Sequence, residues 1–226
     1  MGFMTLENFR TDLQSALGDR GIDNTRLDRW VNFGYVDLSG AISFEMLEFT
    51  DEQTTVSGDE TLDVPANIML VKILRDATND RLLGWLPKNE YFRRSADASG
   101  QPTHWSRHGN DIVLHPVPDG AYDIHIMYQT FPDLLDDPAD TTILPNTWDV
   151  AVHQLSVYHG LQSLGEEQRA SLWYNRAVNY IQTRMTEDLH QATASGIGLS
   201  IPPIRQLDIR PFIGQGTVPQ QGQGQG

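Results

Sequence analysis

Residues 146–189 read NTWDVAVHQLSVYHGLQSLGEEQRASLWYNRAVNYIQTRMTEDL, and this stretch predicts a helical hairpin. In each half, mostly apolar residues recur every three or four positions, which is the spacing of one helix face. Gly165 separates the halves and supplies a helix stop. The first face holds Trp148, Val152, Leu155 and His159, and the second holds Tyr174, Ala177, Val178, Ile181, Met185 and Leu189.

Two helices cannot bury both faces against each other, so the hairpin needs a further helical partner. Thr25–Phe49 has apolar residues at the same spacing, with Gly34 in its middle. A glycine inside a helix costs about 1 kcal/mol relative to alanine. We therefore interpret Gly34 as a position where the helix packs closely against a neighbouring helix. Thr5–Leu17 predicts a shorter helix. The two ends of the chain are therefore expected to form one bundle.

Between these helices the apolar pattern changes to the alternation of strands. A short helix is predicted at Pro87–Arg94, where proline suits the first helical position. Several short strands within about 80 residues are typical of a small antiparallel sandwich or barrel. The predicted strands are Gln53–Val56, Thr61–Val64, Ile68–Asp76, Arg81–Leu86, Thr103–Arg107, Asp111–Pro116 and Tyr122–Gln129.

The last two strands are predicted to form a hairpin around Pro118 and Gly120, which suit a three-residue turn. That turn places Leu114 opposite Ile124, and Ile112 opposite Ile126. The alternation then directs Tyr122, Ile124, Ile126 and Tyr128 into the core, and Asp123, His125, Met127 and Gln129 outward.

The fold class that follows is α+β: a helical bundle built from both ends of the chain, an inserted antiparallel β-rich domain, and an extended C-terminal arm. The expected boundaries are 1–50 for the first half of the bundle and 51–145 for the insertion. The helical hairpin takes 146–190 and the arm takes 191–226.

The arm begins with an apolar, proline-broken run that cannot form a helix. An extended apolar segment without a sheet of its own is expected to bind another subunit. The residues predicted to bind a partner are Ile201, Ile204, Arg205, Leu207, Ile209, Arg210 and Phe212.

Composition limits the function. The formal net charge is −14, which argues against a DNA-reading module because such a module needs a basic surface. There is no cysteine, so disulfides and thiolate chemistry are excluded. Met1–Arg10 has no secretory pattern, and no stretch is apolar for the length of a membrane span. A soluble protein of a cytoplasm-like compartment is expected.

No catalytic, cofactor-binding or metal-binding residue is predicted. His104 and His108 lie four apart, and His115 and His125 are expected on neighbouring strands, but zinc needs three or four converging ligands. The acidic run Asp133–Asp140 lacks the spacing of a calcium-binding loop and is expected to be a solvated loop. The chain has no nucleophile elbow and no phosphate-binding loop.

An ordered set of short motifs nevertheless resembles one known family, the head–tail adaptor (neck or connector) proteins of tailed bacteriophages. The likeness runs from about Arg26 to Leu189. The motifs are Arg26-Leu27, Trp30-Val31-Asn32, Gly34-Tyr35, Leu38, Asp63-Val64-Pro65, Gly100-Gln101-Pro102, Trp105, Ile112-Val113-Leu114-His115-Pro116, Pro118-Asp119-Gly120-Ala121-Tyr122, Tyr128, Pro132-Asp133-Leu134-Leu135, Leu144-Pro145 and Trp148.

This resemblance implies a non-enzymatic structural protein of the virion neck, assembled in the host cytoplasm. It implies a homo-oligomeric ring of twelve copies beneath the portal protein, with a tail or tail-nozzle protein below. Double-stranded DNA would pass through the ring without sequence-specific binding, and no membrane is involved. In the family a C-terminal arm often reaches neighbouring subunits or the portal.

The alternative is a tail-associated carbohydrate-binding β-module, which the strand-region aromatics Trp85, Trp105, Tyr91 and Tyr122 favour. A third interpretation is a hydrolase with a pair of carboxylates, since such pairs meet only in three dimensions. A sugar-binding sandwich needs no helical bundle, so the adaptor interpretation explains more of the chain.

Overall fold

The computed structural model describes residues 4–94 and 98–194, with side chains described as far as residue 187. The chain divides into two compact units, Met1–Arg184 and Met185–Gly226. Residues 191–194 of the predicted arm belong to the last helix, which ends at Ala194, and the rest of the arm, residues 201–213 included, lies outside the described residues.

The described residues form five α-helices: α1 (Leu6–Ala16), α2 (Asn24–Ala41), α3 (Lys88–Tyr91), α4 (Asp149–Ser163) and α5 (Glu167–Ala194). Side chains cap the first two, because Thr5 Oγ1 accepts from the Asn8 amide at 3.3 Å and Asp23 Oδ1 accepts from the Arg26 amide at 3.0 Å. Short 3₁₀ turns occupy Glu45–Leu47 and Asn146–Trp148. All five predicted helices are present, with shifted ends.

Helices α2 and α4 approach closely at Gly34, as the sequence predicts. A Cβ atom built there would lie 2.7 Å from the backbone nitrogen of Ser156 and 2.8 Å from the carbonyl oxygen of Val152. No side chain fits in that space. Arg10 of α1 joins the same bundle through a bidentate pair with Asp28 of α2, at 2.6 and 2.9 Å.

Eight strands form two four-stranded sheets in the described residues. The first has the order β1 (Glu48–Thr54), β8 (Asp123–Thr130), β3 (Ile68–Asp76), β4 (Arg81–Leu82). The second has the order β2 (Thr61–Asp63), β7 (Asp111–His115), β6 (His104–His108), β5 (Gly84–Trp85), and only its β5–β6 pair is parallel. The sheets share a buried apolar cluster that includes Leu74, Leu114 and Ile126. The α+β class is confirmed.

The predicted hairpin between β7 and β8 is wrong, because these strands belong to different sheets. The inward residues identified from the alternation are correct, but Leu114 and Ile124 meet across the core and not side by side. Thr55 fixes the crossing of the chain between the sheets. Its amide donates to Tyr122 O and its hydroxyl donates to Gly120 O, each at 2.9 Å. This tertiary partner replaces the hairpin hydrogen bonds.

The predicted end of α2 at Phe49 is also wrong, since the helix stops at Ala41 and β1 begins at Glu48. Phe49 instead pairs with Tyr128 across β1 and β8. Gln129, predicted to face outward, is buried, and its Nε2 donates to Ser39 O at 3.2 Å. The β8 ladder and this amide therefore override the helical pattern of residues 42–49.

Two smaller boundaries differ for the same reason, namely pairing with a distant strand. The predicted strand Gln53–Val56 is the end of β1, which begins five residues earlier, at Glu48. The predicted strand Arg81–Leu86 divides into β4 and β5, which join different sheets. Ile68–Asp76 has the predicted bounds.

Candidate functional site

Four of the exposed large apolar side chains of the first unit line one groove of about 620 Å³. We call it the aromatic groove. Residues from α2, the Glu45–Leu47 turn, β1 and β8 line it, together with the segment that leads from β8 to α4. The lining residues are Tyr35, Leu47, Phe49, Ala66, Asn67, Tyr128, Thr130, Phe131, Pro132, Asp133, Leu134, Leu135, Asp136, Asp140, Thr141 and Ile143.

The groove has a buried floor and an exposed apolar wall. Tyr35, Leu47 and Leu135 are buried beneath it. The wall residues are 48%, 46%, 61% and 52% exposed, in the order Phe49, Phe131, Leu134 and Ile143. The Phe49 ring lies against Tyr128 with centroids 6.2 Å apart. Several exposed apolar side chains around one groove are typical of a binding site, whereas single exposed apolar residues are ordinary.

Helix α2 holds in place the segment that leads from β8 to α4. Asn32 Nδ2 donates to Leu135 O at 2.9 Å, and Leu135 N donates to Asn32 Oδ1 at 2.8 Å. Ile143 N donates to the hydroxyl of Tyr35 at 3.0 Å. Burial raises the pKa of Tyr35, which favours the protonated hydroxyl that accepts this hydrogen bond. The segment between β8 and α4 is thus fixed at both Leu135 and Ile143.

The start of α1 holds the same segment from the other side. Leu6 N donates to Asp140 O at 2.8 Å and Glu7 N donates to Pro138 O at 3.1 Å. These are free amides of the first helical turn, and the loop carbonyls satisfy them. The groove wall is therefore rigid before any partner arrives, which reduces the entropy that binding must overcome.

The rim of the groove is acidic. Asp133, Asp136 and Asp140 line it, and no Lys or Arg is among the described lining residues. The amides of Asp137 and Asp136 donate to the Asp140 carboxylate at 2.8 and 2.9 Å, which lowers the pKa of Asp140. The groove therefore suits an apolar partner that carries positive charge.

The sequence pattern does not predict this groove, and Asp133–Asp140, predicted to be a solvated loop, supplies part of its lining. The signal that could have indicated it is the run Phe131–Asp136, in which apolar and acidic residues alternate around Pro132. The contribution of Phe49 does not follow from the sequence, because the apolar spacing of Thr25–Phe49 predicts a helix that includes this residue.

The histidines form no metal centre in the described part of the chain, where no group of three or more His, Cys, Asp or Glu residues is placed to hold an ion. His115 and His125, expected on neighbouring strands, lie in different sheets. His115 instead faces His104 across β6 and β7. Burial lowers the pKa of both His104 and His115, which keeps them neutral near pH 7.

The aromatic residues of the carbohydrate-binding alternative do not form one exposed platform. Trp105 is buried in the core between the sheets, whereas Trp85 is largely exposed. The Tyr91 hydroxyl donates to Glu60 at 2.8 Å, and Tyr122 packs on the core cluster. A sugar needs stacking faces that are accessible together, which this arrangement does not supply.

The described helices include none that is both long and apolar enough to cross a membrane.

One comparison with known proteins identifies the family. The model of a family described as SU10 adaptor protein matches residues 4–198, a range that contains the bundle, both sheets and the aromatic groove. A search of curated proteins found no match. The family match agrees with the resemblance to phage head–tail adaptors and covers most of the chain. The chain belongs to the SU10 adaptor protein family.

Proposed function

We propose that this protein is the neck adaptor of a tailed-phage particle. Twelve copies form a ring that joins the portal protein to a tail or tail-nozzle protein, and double-stranded DNA passes through it. The observation that carries the proposal is the family match over residues 4–198, which takes in the helical and the strand-rich parts together. The proposed role is structural and not enzymatic.

The surface supports a role in assembly. The aromatic groove exposes four large apolar side chains on a preformed wall, which is more than a protein without partners needs. Interfaces within rings are heterologous, so one patch on each copy must accept a different patch of the next copy. The groove has the character of one such patch.

The charge supports the passage of DNA. Each copy carries a formal net charge of −14, and part of that charge would face a central channel. Acidic groups repel phosphates, so DNA moves through without binding. The proposal places the protein in the virion neck after assembly in the host cytoplasm.

The proposal also divides the chain into four regions, 1–50, 51–145, 146–190 and 191–226. The last region acts as an assembly arm. Ile201, Ile204, Arg205, Leu207, Ile209, Arg210 and Phe212 would bind a neighbouring subunit or the portal. The sequence of the arm supports this role, because apolar residues alternate with prolines and cations.

Co-expression with the portal protein of the same phage tests the function. We expect affinity capture of the portal to recover this protein in a stable complex. A variant that ends at Ala194, where α5 ends, should retain the melting temperature of the full chain but be lost from the complex. Absence of the full chain from the captured portal complex would contradict the proposed function.

A further inference from the structure

We propose that the aromatic groove is the receptor for the C-terminal arm of a neighbouring copy, and that it takes residues 201–213 of that copy. This inference rests on the proposed ring. It names a segment of another copy, and not a part of the same chain's fold, as the occupant of the groove.

The first argument is chemical complementarity. The groove offers apolar side chains, Phe49, Phe131, Leu134 and Ile143, next to the carboxylates of the rim. Residues 201–213 read IPPIRQLDIRPFI, in which six of the thirteen residues are Ile, Leu or Phe. Apolar side chains can cover the wall while the arginines approach Asp133 and Asp136.

The second argument is charge distribution. The chain as a whole is strongly acidic, yet residues 201–213 carry two arginines against the single carboxylate of Asp208. An acidic rim repels most other surfaces of an identical copy, and it attracts this segment. Charge therefore favours the arm over the other parts of a second copy.

The third argument is shape. The groove volume lies within the range of about 300–1,000 Å³ that accommodates compact ligands, which is too small for a folded domain but large enough for several side chains of a strand. Pro202, Pro203 and Pro211 favour an extended backbone, so the segment loses less conformational freedom when it binds. A narrow, proline-stiffened chain fits an open groove.

The absence of native cysteine permits a direct test by engineered disulfides in the full chain. Leu134→Cys is co-expressed with a differently tagged copy that carries Ile204→Cys, Leu207→Cys or Ile209→Cys, and the purified rings are oxidised. A disulfide forms only where Cα atoms come within about 4.4–6.8 Å. Leu172→Cys on α5 is the matched control, because Leu172 is 62% exposed and Leu134 is 61% exposed.

We expect at least one arm position to give a heterodimer carrying both tags with Leu134→Cys, at a yield at least tenfold above the Leu172→Cys control. Equal yields with the two partners, or no disulfide at any arm position, would overturn the assignment. A further variant carries Leu134→Cys and the arm cysteine in the same chain; a disulfide that forms only within that chain, and not between copies, would also overturn the assignment, because the arm would then occupy its own groove.

Charge reversal gives a second test that does not depend on the register of the arm. Arg205→Glu with Arg210→Glu should lower the heterodimer yield at least fivefold, and Asp133→Arg with Asp136→Arg on the groove copy should restore it. No effect of the first pair would contradict the complementarity.

Light scattering on the same preparations distinguishes a failure of the groove assignment from a failure of the proposed function. Rings of wild-type mass without the disulfide would refute the groove assignment alone. Failure of the wild-type chain to form rings, with or without portal, would refute the proposed function.

Discussion

Asn32 and Leu135 are joined by two hydrogen bonds, in which the side-chain amide of Asn32 donates to Leu135 O and accepts from Leu135 N. One side chain thus satisfies both backbone groups of a residue 103 positions later in the chain. This contact ties the groove wall to α2. It also explains how an irregular segment keeps one conformation beside the bundle.

Replacing Asn32 by alanine should loosen the wall. Both backbone groups of Leu135 lose their partner, and an unsatisfied buried polar group costs about 1–3 kcal/mol of unfolding free energy. Chemical denaturation should show that loss, and hydrogen exchange should become faster at Leu135. The control is Asn175→Ala on the exposed side of α5, where we expect almost no change. Equal stability of the two variants would show that the clamp contributes nothing.

Glycines in α2 provide a matched pair of substitutions. At Gly34 an added Cβ would lie 2.7 Å from the Ser156 nitrogen, whereas at Gly40 its nearest contact is Met69 Sδ at 3.8 Å. Overpacking typically costs about 1–3 kcal/mol, and replacing a helical glycine by alanine gains about 1 kcal/mol.

Gly34→Ala should therefore lower the unfolding free energy, and Gly40→Ala should raise it slightly. Urea denaturation of both variants measures the two effects against the wild type. Stabilisation by Gly34→Ala would mean that α2 and α4 are not in close contact there.

Periodicity was enough to predict the helices, because residues such as Leu27, Trp30 and Val31 repeat at the spacing of a buried face. Strand β3 was predicted for the same reason. The pairing of β7 and β8 was not predictable, since the turn around Pro118 fits a hairpin and a crossing between sheets equally well. Thr55, more than sixty residues earlier, decides between them through Tyr122 and Gly120. The groove shares this limit, because Phe49 and Leu134 line the same groove only after folding.

Acidification should destabilise the protein through His153. Burial lowers the pKa of this histidine below its usual value of about 6.5, and its Nε2 has no hydrogen-bond partner. The unfolded chain therefore binds more protons as the pH falls below that value, and unfolding is favoured. His153→Leu should lose less unfolding free energy than the wild type between pH 7.5 and 5.5.

Urea denaturation at the two pH values measures that difference. His104 and His115 have lowered pKa values for the same reason, so the variant should keep part of the dependence. An unchanged pH dependence in His153→Leu would show that this side chain is not the source.

The assembled protein should not bind double-stranded DNA at physiological salt. Each copy has 30 acidic residues against 16 Lys and Arg, and binding to DNA depends on neutralising its phosphates. A gel-shift titration with DNA of random sequence measures the affinity. Tight, salt-sensitive binding would contradict the proposed acidic channel.

The central claim, that this protein is a ring-forming adaptor on the portal, is tested most directly by native mass spectrometry of the purified complex with portal. We expect a single assembly in which twelve copies of this 25.4 kDa chain are added to one portal ring. A portal ring that carries no copies, beside free monomer of this chain, would contradict the account.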